Sequence, residues 1–185
     1  RNGELAVINS DIDGIVIRTS WLYSAYGNNF LKTMLKLGHE RDELGVIFDQ
    51  VGTPTNASDL AKICLDILHN DSSENISTKG KTYHYSNEGV TSWYDFATAI
   101  MELGSLDCKV RPIETKDYPT PAKRPHFSVL NKSKIKNDFK IEIPYWRDSL
   151  AKCIKKINKI KNYEKKHINY RWCWFYRISC SSFIL

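Results

Sequence analysis

The sequence predicts an α/β fold, and three observations carry that prediction. Short apolar runs rich in β-branched residues, such as Ile15-Val16-Ile17, alternate with longer segments of helical periodicity. Asn, Thr or Ser stands where the helical segments begin, and Gly closes two of them. Strand, loop and helix recur in that order along the chain, the rhythm of a sheet covered by helices.

Residues 1–10, with Leu5, Val7 and Ile8, read as the tail of a helix already under way. Asp11, Asp13 and Gly14 form a turn. Ile15 to Arg18 is a buried strand, and a polar, aromatic loop follows it. Asn28 or Asn29 caps the next helix, which carries Phe30, Leu31, Met34, Leu35 and Leu37 as core and stops at Gly38. Leu44 to Phe48 is a second strand. Gly52 and Pro54 bend the chain into a helix capped by Thr55 or Asn56, with Asp59 completing a capping-box-like start. Leu60, Ile63, Cys64, Ile67 and Leu68 form its apolar stripe.

His69 to Gly80 is a polar loop, and Lys81 to Ser86 a strand. Ser92 and Asp95 start a third helix with Trp93, Phe96, Ala97, Ile100 and Met101 as core, ended by Gly104. Lys109 to Ile113 is a short strand. Thr115 to Arg124 is a loop bearing Pro119 and Pro121. A short helix spans Lys132 to Phe139. Pro144 precedes a last amphipathic helix with Trp146, Leu150, Cys153, Ile154 and Ile157.

The chain has 185 residues, enough for one domain or slightly more. Residues 1–160 form the body; residues 161–185 break its pattern. That end crowds seven aromatic residues among Lys and Arg with no period and reads as a non-native extension in preference to a membrane- or partner-binding tail. It also carries +4 of the formal net charge of +6, so the body is nearly neutral. No basic stripe crosses the body, which argues against a nucleic-acid partner. No apolar run reaches the roughly 20 residues that span a bilayer, and a membrane partner is not expected. Five widely spaced cysteines without Cys-x-x-Cys fit a reducing cytoplasm. The five histidines show no metal-ligand spacing.

Ligands of open α/β sheets lie beyond the carboxyl ends of strands. Arg18, Thr19, Ser20 and Trp21 stand at such an end. Trp21 offers a flat apolar face for a sugar or nicotinamide ring, and equally fits a local core plug. Gln50 and Thr55 fall on the same side, although turn and cap roles explain them too. Arg124 can fork onto a phosphate or remain a solvated cation. The set suits a polar, phosphate-bearing small ligand. It contains no nucleophile–base pair and no Gly-rich phosphate loop.

Four motifs in order, Arg-Thr-Ser-Trp-Leu-Tyr-Ser (18–24), Gly-Asn-Asn-Phe-Leu-Lys-Thr-Met-Leu (27–35), Asp-Gln-Val-Gly-Thr-Pro-Thr (49–55) and Arg-Pro-His-Phe-Ser-Val-Leu (124–130), resemble the dTDP-4-dehydrorhamnose reductases, a family of extended short-chain dehydrogenases/reductases. The resemblance covers residues 1–160. It implies the end of a Rossmann sheet plus a small α/β substrate-binding domain, and reduction of dTDP-4-dehydro-L-rhamnose by NADPH or NADH. It assigns Trp21 to packing on the sugar and puts Asn29, Gln50, Thr55 and Arg124 in segments lining the dTDP-sugar pocket. It sets Arg18, Thr19 and Ser20 beside the nicotinamide.

The family's Tyr-x-x-x-Lys would end just before Arg1, and its glycine-rich loop further upstream. No catalytic residue is therefore expected in this chain, and the chain alone is expected to be inactive and poorly soluble. Some family members are linked with a magnesium-bridged dimer through a Glu near the position of Ser58, so no metal is expected here. A homodimer stays open for the intact protein. Two rival readings are a nucleotide-sugar epimerase or dehydratase, and a non-catalytic regulatory protein of the same fold.

Overall fold

The computed structural model describes residues 2–11, 14–69, 79–118 and 122–179, with side chains through Tyr163. Most of the expected His69 to Gly80 loop, Asp13, and the two prolines of the 115–124 loop lie outside the described residues. The first half holds α1 (Asn2–Ile8), β1 (Val16–Arg18), β2 (Leu22–Tyr23), α2 (Phe30–Glu40), β3 (Glu43–Ile47), β4 (Val51–Gly52), β5 (Thr55–Asn56) and α3 (Ala57–His69). The second holds β6 (Thr82–His84), β7 (Thr91–Ser92), α4 (Trp93–Gly104), β8 (Lys109–Ile113), α5 (Ser133–Phe139) and α6 (Trp146–Ser179).

The strands pair across long sequence separations. β1 lies parallel to β6, β2 parallel to β5, and β3 parallel to β8 from Glu43↔Lys109 to Ile47↔Ile113. β4 and β7 pair antiparallel. Parallel partners need a crossover, and helices supply it, α3 and α4 both lying between β3 and β8. β1 is half-buried rather than buried. Among the described residues it has β6 as its one strand partner, and Ile15 and Ile17 pack on the smaller core.

Two apolar cores form. The larger joins α2, α4 and α6 through Leu31, Phe96, Ile100, Leu150 and Ile154. The smaller joins α3, β6 and α5 through Ile63, Tyr83, Tyr85, Ile135 and Phe139. Each fully buried aliphatic side chain contributes about 1.5–3 kcal/mol.

Caps explain where helices start. Asn29 Oδ1 accepts from the Lys32 backbone N–H at 3.3 Å. Ser92 and Asp95 form the expected reciprocal box, at 3.0 and 3.2 Å. At α3 the Asn56 side chain caps, accepting from Ser58 N–H at 2.8 Å. The expected box with Asp59 does not form, because that carboxylate turns to Asn87 and Ser149 instead.

Glycine punctuation misleads at two helix ends. Gly38 lies inside α2, where a Cβ would fall 2.6 Å from Met101 Sδ and 2.8 Å from Leu106 Cδ1. It is small so that α2 and α4 approach, and the helix runs on to Glu40. Gly104 is still helical, and Ser105 takes the left-handed cap at φ 54°. Leu68, expected in the apolar stripe of α3, is 78% exposed. The last helix continues through Ser179, into the segment where no period was legible.

A buried polar hub ties the two cores. Asn87 is fully buried, and its Nδ2, with two protons to give, lies 2.8, 3.1 and 3.2 Å from Asp59 Oδ2, Ser149 Oγ and Pro144 O. Its Oδ1 accepts from Asn56 N–H at 2.8 Å, and its carbonyl accepts from Lys132 Nζ at 2.8 Å. Lys132 also pairs with Glu88 at 3.0 Å, where Lys136 joins it. Burial pushes the Glu88 carboxyl up, but hydrogen bonds from Lys136 and Lys132 outweigh it and hold the group below its ordinary value.

Candidate functional site

The loop after β1 is pinned by its own polar side chains. Thr19 Oγ1 donates to Thr55 Oγ1 at 3.2 Å, Ser20 Oγ to Thr53 O at 3.0 Å, and Thr55 N–H to Trp21 O at 3.1 Å. Trp21 is thereby held at φ 48°, a left-handed backbone that a bulky residue rarely adopts. Its indole stacks on Trp93, with ring centroids 3.6 Å apart and 9° between planes. Phe30 tilts against Trp93, with ring centroids 4.6 Å apart.

Gly52 makes room for this pair. A Cβ there would fall 2.7 Å from Trp21 Cε2 and 2.6 Å from Ser128 Oγ. A rigid indole already sandwiched on one face cannot yield without leaving Trp93. Gly52→Ala is expected to cost about 1–3 kcal/mol by overpacking. It should also diminish the near-ultraviolet circular dichroism of the coupled indoles, which a chemical melt and a spectrum together would check.

Trp93 is the first residue of α4, set by the Ser92–Asp95 box. Trp93 also lines a cavity of about 660 Å³, whose wall includes Phe30, Met34, Gln50, Tyr118 and Arg124. This volume lies within the range of small-ligand sites. Gln50 is 4% exposed, and its Nε2 donates to Thr115 Oγ1 at 3.1 Å. The Thr115 hydroxyl in turn donates to Asp49 Oδ1 at 2.7 Å, as does the Thr115 backbone N–H at 3.0 Å. The Thr115 hydroxyl bond is the main reason that the Asp49 carboxyl sits below its ordinary value. His126 Nδ1 lies 2.9 Å from Asp49 O.

The structure thus brings Gln50 and Arg124 to one cavity and stacks Trp21 on Trp93, which lines it. Asn29 and Thr55 lie outside that wall. Asn29 caps α2 and donates to Ser24 O and Tyr26 O at 2.9 and 3.2 Å. Thr55 is fully buried beneath Thr19. Arg18 forks onto Glu4 at 2.8 and 2.6 Å. The side chains of Arg18, Thr19 and Ser20 are therefore all engaged within the chain.

Sequence reasoning had read Trp93 and Phe30 as core and had not singled out Thr115. The signal for Trp93 was present: a flat aromatic residue at a helix start is placed beside a strand end, whatever its position in the helical stripe. No group of three or more His, Cys, Asp or Glu side chains capable of holding a metal occurs among the described residues.

Parallel strand pairs crossed by helices place the chain in the α/β class, and its structural neighbours have the extended short-chain dehydrogenase/reductase fold. Within that class the chain belongs to the family described as the RmlD substrate binding domain, which matches residues 1–159. A dTDP-4-dehydrorhamnose reductase of Sinorhizobium fredii is 36% identical over 156 residues, covering 82% of this chain and 53% of that protein. A crystal structure of a dTDP-4-dehydrorhamnose reductase from Clostridium acetobutylicum is 41% identical with a TM-score of 0.70, covering 78% of this chain and 49% of the other. The corresponding Bacillus anthracis structure, in complex with NADP, is 36% identical with a TM-score of 0.70, covering 77% and 48%. The chain spans about half the length of the curated relatives it matches.

Proposed function

We propose that residues 1–160 are the nucleotide-sugar-binding part of a dTDP-4-dehydrorhamnose reductase, which reduces dTDP-4-dehydro-L-rhamnose to dTDP-L-rhamnose for cell-surface polysaccharide synthesis. The observation that carries this reading is the single cavity shared by Trp93, Gln50 and Arg124. The three groups match three parts of such a ligand. An indole face takes a flat ring or the apolar face of a sugar. A planar guanidinium forks onto a diphosphate. A neutral amide meets a hydroxyl or imide.

NADPH or NADH supplies the hydride when bound. Arg18, Thr19 and Ser20 contribute to that region the shape of the strand end, their side chains being spent on Glu4, Thr55 and Thr53. Asn29 and Thr55 serve the pocket by holding its loops. Trp21 acts through Trp93, as the layer that keeps the outer indole flat. No Tyr-x-x-x-Lys occurs in these 185 residues, so the proton-donating pair of the reaction is not among them. A cytoplasmic setting, suited to the free thiols of Cys64, Cys108 and Cys153, and a homodimer of the intact protein complete the reading.

Calorimetric titration of the purified chain tests it. Saturable binding of dTDP-L-rhamnose, with UDP-glucose much weaker, is the expected result. Mixing the chain with NADPH and dTDP-4-dehydro-L-rhamnose should leave the cofactor unoxidised. Equal affinity for the UDP-sugar would move the chain to another nucleotide-sugar enzyme, and turnover would overturn the division of labour.

A further inference from the structure

Gln50 is held in one of its two amide orientations by residues that do not face the ligand. A side-chain amide is normally ambiguous, since its oxygen and nitrogen have the same shape. Here chemistry decides. The Thr115 hydroxyl has one proton and lies 2.7 Å from Asp49 Oδ1. A carboxylate only accepts, so that proton goes to Asp49. Asp49 stays ionised at neutral pH, because the bond from Thr115 favours its charged form. The Thr115 oxygen is then left as an acceptor toward Gln50, 3.1 Å away, and only the Gln50 NH₂ group can satisfy it. The carbonyl end, Oε1, has no hydrogen-bond partner among the described residues, and Gln50 lines the cavity.

The geometry points to Asp49 and Thr115 as positioning residues that fix Gln50 as a hydrogen-bond acceptor for an N–H or O–H donor of the bound nucleotide sugar. This inference rests on the nucleotide-sugar reading above. It gives the cavity a polarity. The carbonyl oxygen of Gln50 repels a phosphate, so the diphosphate belongs on the guanidiniums that line the cavity, Arg124 and Arg41. The donor at the Gln50 side is a nucleobase imide or a sugar hydroxyl.

The test compares wild type, Thr115→Val and Thr115→Ser of the full chain, each titrated with dTDP-L-rhamnose and with dTDP. Valine keeps the shape and frees the amide to turn. Losing one neutral hydrogen bond should weaken dTDP-L-rhamnose binding roughly fivefold. Serine keeps the hydroxyl and should restore wild-type affinity, which a purely packing role for the threonine methyl would not do. If dTDP weakens equally, the donor is on the nucleotide; if only dTDP-L-rhamnose weakens, it is on the sugar.

Wild-type affinity in Thr115→Val would overturn the relay and leave the functional reading standing. Failure of the wild-type chain to bind either ligand would defeat the reading and the inference together. Should the valine variant not fold, the unliganded wild-type protein decides by nuclear magnetic resonance. The Gln50 Nε2 protons must show contacts to the Thr115 side chain, and their absence would refute the assignment.

Discussion

Replacing Asn87 by leucine is expected to cost about 3 kcal/mol or more of folding stability, by leaving buried polar partners unmatched. The two side chains are of similar size, so the loss is electrical rather than volumetric. Asn56 N–H would lose its acceptor, and Asp59 would lose one of its two donors while the carboxylate remains half-buried. Each uncompensated buried group costs roughly 1–3 kcal/mol, more when it is charged. The partners lie on α3, on α6 and beside α5, so loss of the hub loosens both cores from each other. Urea unfolding reads the change as a lower midpoint at an unchanged slope. A loss below about 1 kcal/mol would mean that water replaces the amide without penalty.

Trp93→Ala is expected to weaken dTDP-L-rhamnose binding by at least about tenfold, the scale of one lost aromatic stacking face. The substitution removes the wall of the cavity and the support of Trp21 at once. Trp21→Ala should weaken binding less, because Trp93 remains while its backing is lost. The double variant should resemble Trp93→Ala alone, since residues in contact are not additive. Trp93→Phe should recover part of the affinity. Equal and additive losses would show that both indoles touch the ligand independently.

Local chemistry was legible in the sequence. The Ser92–Asp95 box and the Asn29 cap act within three residues, so their signals survive without tertiary information. The β8 strand was legible to its bounds. Long-range chemistry was not legible. Asp59 looked like a capping residue until the fold brought Asn87 and Ser149 to it, 28 and 90 positions away. Gly38 looked like a helix stop, although its smallness serves Met101 and Leu106 on the α4 side.

The site divides in the same way. Gln50 and Arg124 were visible as residue types suited to a nucleotide sugar, and the fold places both at one cavity. Trp93 was hidden by its own helical stripe, which made it look like core. Thr115 carries no motif at all. Its role arises only because β3 and β8 lie side by side and carry Asp49 and Thr115 out of their ends together. Parts of three of the motif segments meet at Trp21, where a Cβ on Gly52 would crowd both the indole and Ser128.

The most direct test of a shared nucleotide-sugar cavity is a titration of the ¹⁵N-labelled chain with dTDP-L-rhamnose, following the indole N–H signals. Saturating shifts at Trp21 and Trp93, much larger than any at the core residue Trp146, are the predicted result. Unmoved Trp21 and Trp93 signals at saturation, or shifts confined to Trp146, would contradict the account.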